Sequence, residues 1–200
     1  MKDIISRSRE IVGEAGKYNA VDHIWRKLPG NRTLEFAGVR TIDELGKWRG
    51  RPHDIKLFDE LTEFQEELYL ALIGWARTEV PGLRTRVIAA TNPALGWVYR
   101  RWRAWLDPNQ PNRAQPGEIR WYIRVNDEDT EVPGPERVTI GGQLYIPRSR
   151  TFVPARLADN KYLSASDDYL ANLSNLPEPL RSQLMYGDWL AGQKDNVYQI

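Results

Sequence analysis

Apolar and polar positions alternate along the chain in short blocks, and their spacing predicts the elements. Ile4, Ile5, Ile11 and Val12 allow a short helix over residues 3 to 14. Val21, Ile24, Trp25 and Leu28 fall at i, i+3, i+4 and i+7, which predicts a helix over 19 to 28 stopped by Pro29-Gly30. Residues 33 to 39 alternate like a strand, and 40 to 53 read as a polar loop carrying Trp48-Arg49-Gly50-Arg51. Ile55, Leu57 and Phe58 then form an apolar run about as long as a buried strand, ending in Asp59-Glu60. Thr62 with Gln65 reads as a capping box. It opens a helix with the stripe Phe64, Leu68, Ala71, Leu72 and Trp75, which Val80-Pro81-Gly82 ends. Residues 84 to 90 make a second apolar run that stops at Thr91-Asn92-Pro93.

Strand, helix, strand with two apolar runs is the signature of a parallel βαβ unit. In such a unit Asp59-Glu60 and Thr91-Asn92 emerge on the same edge of the sheet. Beyond it, residues 94 to 106 predict a basic, aromatic helix in which Val98, Trp102, Trp105 and Leu106 pack and Arg100, Arg101 and Arg103 face out. Those arginines form either a DNA-facing strip or an ordinary solvated face. Residues 107 to 119 are loop. Residues 121 to 125 and 137 to 140 read as strands, and Gly141-Gly142 turns the latter back into 143 to 146. This β excursion, at about 107 to 149, interrupts the α/β rhythm as a lid or side sheet. Residues 150 to 155 are expected to rejoin the main sheet at an edge, because of Pro154. Two short helices follow, the first capped by Ser166, the second opened by Pro177 and closed by Gly187, with a loose tail over 191 to 200.

The bulk numbers narrow the setting. The chain has 200 residues and a formal net charge of +1, so any nucleic-acid-binding surface must be local. At this length a domain buries roughly 70% of its unfolded surface. There is no cysteine, which rules out a disulfide frame, a thiolate nucleophile and a Cys-based metal site. No apolar stretch is long enough for a membrane span and no signal-peptide pattern opens the chain, so a soluble intracellular protein is expected.

Two adjacent acids at the end of a buried run are costly unless they stand at the strand's carboxyl end, where an open parallel sheet has its crevice. There the first acid can hold Mg²⁺ through oxygen and the second can orient or deprotonate a water, the arrangement called Walker B. The same pattern also arises where a strand simply runs into a solvated turn. Gly13-Glu14-Ala15-Gly16-Lys17-Tyr18 faintly suggests a phosphate loop. It fails the pattern G-x-x-x-x-G-K-[ST] at Ile11 and Tyr18, no strand precedes it, and it reads as a helix end. Arg49 and Arg51 are candidates to reach a phosphate.

Taken in order, these stretches resemble the large terminase subunits of tailed bacteriophages, the motors that package DNA into capsids. Trp48-Arg49-Gly50 precedes the acidic strand, Ile55-Lys56-Leu57-Phe58-Asp59-Glu60 is similar to Walker B, and Ala89-Ala90-Thr91-Asn92-Pro93 is similar to the coupling motif. Phe152-Val153-Pro154-Ala155, then Asp159-Asn160 and Tyr162-Leu163, resemble that family's segment after the ATPase core strands, and Leu173 through Gly187-Asp188-Trp189 resembles the close of its ATPase domain. The resemblance spans roughly residues 20 to 190. It implies a partial P-loop-type (ASCE) parallel sheet flanked by helices, with a small β-hairpin lid insertion. Asp59 would hold Mg²⁺, Glu60 would activate the hydrolytic water, and Thr91 and Asn92 would sense the nucleotide's γ-phosphate. ATP and Mg²⁺ are the implied cofactors. Double-stranded DNA, a phage portal and a small terminase subunit are the implied partners, in the cytoplasm of a bacterial host. The family's phosphate-binding loop and its C-terminal nuclease have no counterpart in these residues. The chain is therefore expected to be the C-terminal part of an ATPase domain that hydrolyses ATP negligibly by itself. A missing strand should leave an edge or face open, so self-association is expected, or cover from residues 3 to 28.

Overall fold

The structure is a computed structural model and describes residues 2 to 192. Most of the tail expected at 191 to 200 lies outside the described residues. The chain divides into two compact units, Met1–Arg51 and Pro52–Ile200.

In the first unit, helix α1 (Lys2–Val12) leads through a 3-10 turn into a three-stranded antiparallel meander, β1 (Lys17–Asn19), β2 (Ile24–Leu28) and β3 (Arg32–Glu35). The helix expected over 19 to 28 is therefore a turn and a strand. The Asn19 side-chain carbonyl accepts the backbone N–H groups of Val21 and Asp22, at 2.8 and 3.2 Å, a local alternative to helical bonding. His23 then takes a positive φ of 54° and reverses the chain. The helical spacing was misleading because Val21 stands 88% exposed, while Trp25 alone of the four is buried. The Trp25 indole lies 5.1 Å from the Tyr18 ring and donates to Ser8 Oγ at 2.9 Å; Ser8 in turn donates to the Ile5 carbonyl. That short polar chain ties α1 to the sheet with no buried group left unsatisfied. Gly16 lies close against the meander: a Cβ there would sit 2.7 Å from Leu28 Cδ2 and 3.3 Å from the Arg26 carbonyl. A 3-10 segment (Ile42–Trp48) follows the meander.

The second unit is mixed α/β with small sheets. Its parallel pair, β4 (Ile55–Phe58) and β5 (Arg86–Ala89), is joined by α2 (Glu66–Gly74). The sequence prediction of a parallel βαβ unit holds. The expectation of strands buried on both faces does not: of the eight strand residues only Phe58 is buried. The expected capping box is also replaced. Gln65 is the N-cap of α2 without a side-chain bond, and Thr62 sits in a separate 3-10 turn (Leu61–Glu63).

Residues 94 to 106 form two short helices, α3 (Trp97–Arg101) and α4 (Arg103–Leu106), broken at Trp102. Strand β6 (Arg120–Val125) pairs antiparallel with β7 (Glu128–Val132) across Asn126-Asp127, both at positive φ, the turn chemistry of a tight hairpin. β7 was not anticipated, because Glu128, Asp129 and Glu131 hide its alternation. The hairpin β8 (Val138–Ile140) and β9 (Gln143–Tyr145) turns at Gly141-Gly142 as expected. β10 (Arg148–Arg150) pairs with β6, not with the parallel pair, so the expected return of residues 150 to 155 to the main sheet is corrected. The Trp105, Ala114 and Tyr122 cluster, with Trp102 and Phe152 against it, holds this sheet to the helices. Helices α5 (Asp167–Ser174), capped by Ser166 Oγ, and α6 (Leu180–Tyr186), closed by Gly187 at φ 67°, complete the unit.

Of the three arginines expected to face out, Arg100 and Arg103 do, with side chains 68% and 61% exposed, and all three pair with acids. Arg100 and Arg101 each reach Glu66 at 3.1 Å, Arg101 also lies 3.2 Å from Asp129, and Arg103 lies 3.0 Å from Asp107. Arg101 is only 8% exposed, contrary to the expectation that it would not pack. Arg150 completes the cluster, 2.5 Å from Asp129 and 4.6 Å over the Tyr122 ring. Asp129 thus neutralises two buried guanidinium groups. Burial by itself would raise its pKa, but the Arg150 hydrogen bond and the charges of Arg150, Arg101 and Arg124 together hold it below the ordinary value.

Asp129→Asn should therefore cost about 3 kcal/mol, because two buried cations lose their shared counter-charge. Because the folded pKa is depressed, the Asp129 contribution is fully present above the ordinary carboxylate value of 3.8 and is lost as pH falls below it. Urea titrations across that range should show the acid loss in the parent chain and a smaller one in the variant.

Candidate functional site

The site is built where β4 and β5 end. Their register runs one to one from Ile55 opposite Arg86 to Phe58 opposite Ala89, so both strands deliver their next residues to the same edge. The Phe58 ring fixes that end, packing edge-on against Phe64 and Tyr69 at 5.4 and 5.2 Å. The ladder continues one step further, with the Ala90 N–H on the Phe58 carbonyl at 2.9 Å. A regular parallel ladder would next place the Glu60 N–H on the Ala90 carbonyl. Instead the Leu61 N–H makes that bond, at 3.1 Å. One extra residue is thus inserted, a bulge, and Glu60 absorbs it with φ 52° and ψ 57°. For a non-glycine residue that left-handed geometry costs about 1–2 kcal/mol. Leu61, 2% exposed, anchors the far side of the bulge.

The bulge turns Glu60 towards the end of β5. Asn92 Nδ2 donates to both Glu60 carboxylate oxygens, at 3.4 and 3.5 Å. Thr91 Oγ1 accepts the Thr62 N–H at 3.1 Å and shares a hydrogen with Thr62 Oγ1 at 2.7 Å. Thr62 therefore bonds to the neighbouring strand end rather than capping α2. Glu60, Thr91 and Asn92, all singled out from sequence, are brought together by two strand ends.

A cleft of about 410 Å³ opens over them. Glu60, Thr62, Glu63 and Asn92 form its polar side; Pro93, Ala94, Leu180 and Leu184 its apolar side; Gln183 of α6 also lines it. The contribution of α6 was missed, because Leu180 and Leu184 read as ordinary packing residues. The available signal was Gln183 between them at helical spacing, a polar group on an otherwise apolar stripe.

The other candidates lie elsewhere. Asp59 is exposed and is not among the residues lining the cleft. Arg49 and Arg51 belong to the first unit, where the Arg49 N–H bonds the Leu45 carbonyl and the Arg51 guanidinium pairs with Glu35 at 2.5 Å and lies over the Trp48 ring. Among the described residues no three His, Cys, Asp or Glu side chains are grouped to hold a metal ion. No Lys or Arg lines the cleft, whose two acids are Glu60 and Glu63. The lining therefore offers no cationic side chain to an anionic phosphate chain. What the arrangement can do is hold a water or a hydroxyl against a carboxylate whose second face is fixed by an amide.

No protein-family model, no curated protein and no solved structure matches the chain.

Three substitutions at two positions test the local geometry. Glu60→Gly should keep stability or raise it by up to about 1 kcal/mol, since glycine adopts the left-handed conformation freely, whereas Glu60→Val should lose about 2 kcal/mol. Thr91→Val should cost about 1 kcal/mol by removing the hydroxyl that joins the two strand ends. Denaturant midpoints of the three variants measure these differences.

Proposed function

We propose that the chain supplies the water-activating half of a nucleoside-triphosphate-hydrolysing site, as the corresponding part of a terminase-type DNA-packaging ATPase. The reading rests on one observation: the Asn92 amide holds the Glu60 carboxylate across the ends of neighbouring parallel strands. A general base needs a fixed carboxylate with one oxygen free to take a proton, and the Asn92 donor leaves lone pairs on both oxygens for a water. In this reading Glu60 accepts the proton of the attacking water and Asn92 keeps it aimed. Thr91, through Thr62, ties the loop bearing Glu60 to the loop that reports on the reaction. The finer fold assignment, a partial P-loop-type sheet, belongs to the same proposal, as do double-stranded DNA, a portal and a small terminase subunit as partners.

The groups that cradle phosphates and bind Mg²⁺ come, in this proposal, from another polypeptide segment bearing G-x-x-x-x-G-K-[ST], a pattern that these 200 residues do not contain. Arg100, Arg101 and Arg103 are not assigned to DNA, because each is already paired with a carboxylate.

The test is ATP hydrolysis with Mg²⁺ by the chain alone and with a terminase phosphate-loop segment added in trans. The chain alone should show no multiple turnover. The mixture should turn over, Glu60→Gln should lower the rate at least about 100-fold, and Asn92→Ala about 10-fold. A mixture that stays inactive, or whose rate ignores Glu60→Gln, contradicts the proposal.

A further inference from the structure

The two faces of the parallel pair are not equivalent. Side chains alternate along a strand, so Lys56, Phe58, Val87 and Ala89 share one face and Ile55, Leu57, Arg86 and Ile88 the other. The first face is the one that α2 covers, through Tyr69 against Phe58. On the second, Ile55, Leu57 and Ile88 are 50, 64 and 54% exposed. Parallel strands are almost always covered on both faces, because each side is apolar. This face is apolar and open.

Its charges give the identity of the cover. Arg86 stands beside Ile55 at the amino end of the row. At the carboxyl end the Ala90 N–H still bonds the Phe58 carbonyl, so Asp59 sits beside Ala90 and continues the row; the inserted residue is Glu60. Asp59 is exposed and does not line the cleft. The open face therefore reads cation, apolar centre, anion along about 13 Å of strand. Among the described residues neither Arg86 nor Asp59 has an ion-pair partner.

We propose that this face docks a second copy of the chain. A twofold axis lying between the sheets and across the strands reverses the strand direction. It sets Leu57 and Ile88 of each copy against the same residues of the other, leaves Ile55 at the margin, and brings the Arg86 end of each copy over the Asp59 end of the other. The pattern is self-complementary under that operation, which is what an isologous contact demands. Stacked sheets lie about 10 Å apart, within reach of an arginine and an aspartate meeting diagonally. The apolar patch is small, so the association is weak, in the tens to hundreds of micromolar, and the paired charges set orientation more than affinity. The proposal is independent of the hydrolytic reading, since none of Arg86, Asp59, Ile55, Leu57 and Ile88 lines the cleft.

Sedimentation velocity over a concentration series tests it. The chain should pass from monomer to dimer, with weaker dimerisation at high salt. Arg86→Asp and Asp59→Arg, each checked for native circular dichroism, should each weaken the dimer at least about fivefold by setting like charges together. The double variant should dimerise like the parent, and an equimolar mixture of the two single variants should form a heterodimer. Leu57→Lys should abolish association. A chain that stays monomeric at millimolar concentration, single variants that dimerise unchanged, or a mixture that fails to recover overturns the proposal.

Discussion

The structure of the site depends on one constraint: two parallel strands paired in register, the first carrying one residue too many. Because β4 and β5 are parallel, their carboxyl ends must lie side by side. Because the ladder resumes at Leu61 and not at Glu60, the extra residue has to leave the pleat. The positive φ of Glu60 is the local cost, and the orientation of its carboxylate towards Asn92 is the consequence. Strain of this kind persists only where its surroundings over-determine it. Here Phe58, packed between Phe64 and Tyr69, and Leu61, fully enclosed, hold the bulge from both sides.

The rest of the second unit supports that edge. Trp97 donates its indole N–H to the Phe64 carbonyl at 2.6 Å and lies 5.0 Å from the Tyr69 ring, joining α3 to the segment that follows the bulge. Arg101 continues the connection, pairing with Glu66 at the start of α2 and with Asp129 in the antiparallel sheet. Arg101, which in the sequence belongs to a possible nucleic-acid strip, thus acts as an internal brace. A buried guanidinium can do this only with its counter-charge beside it, and Asp129 and Glu66 supply it.

How much of this was legible depended on the range of the interaction. The βαβ unit and the shared edge of Asp59-Glu60 and Thr91-Asn92 followed from two apolar runs separated by a helical stripe. The Gly141-Gly142 hairpin, the Ser166 cap and the Gly187 helix end followed from local turn chemistry. The helix expected at 19 to 28 failed because an Asx turn at Asn19, a side-chain effect stronger than four apolar residues at helical spacing, took over the backbone. The strand at 128 to 132 was illegible because its acids are there to meet arginines from distant elements. The two acids at the end of β4 looked equivalent in sequence. In the structure the left-handed turn at Glu60 brings its carboxylate to Asn92, while Asp59 stays exposed and does not line the cleft.

The account stands most directly on the contact between Asn92 and Glu60. It is measured by NMR, through nuclear Overhauser contacts between the Asn92 side-chain amide protons and the Glu60 side-chain methylene protons. If the carboxylate is held by that amide, the contacts are present and the Asn92 amide resonance shifts in Glu60→Ala. An Asn92 amide with no contact to Glu60, and with a resonance unmoved by Glu60→Ala, would contradict the arrangement on which the site is built.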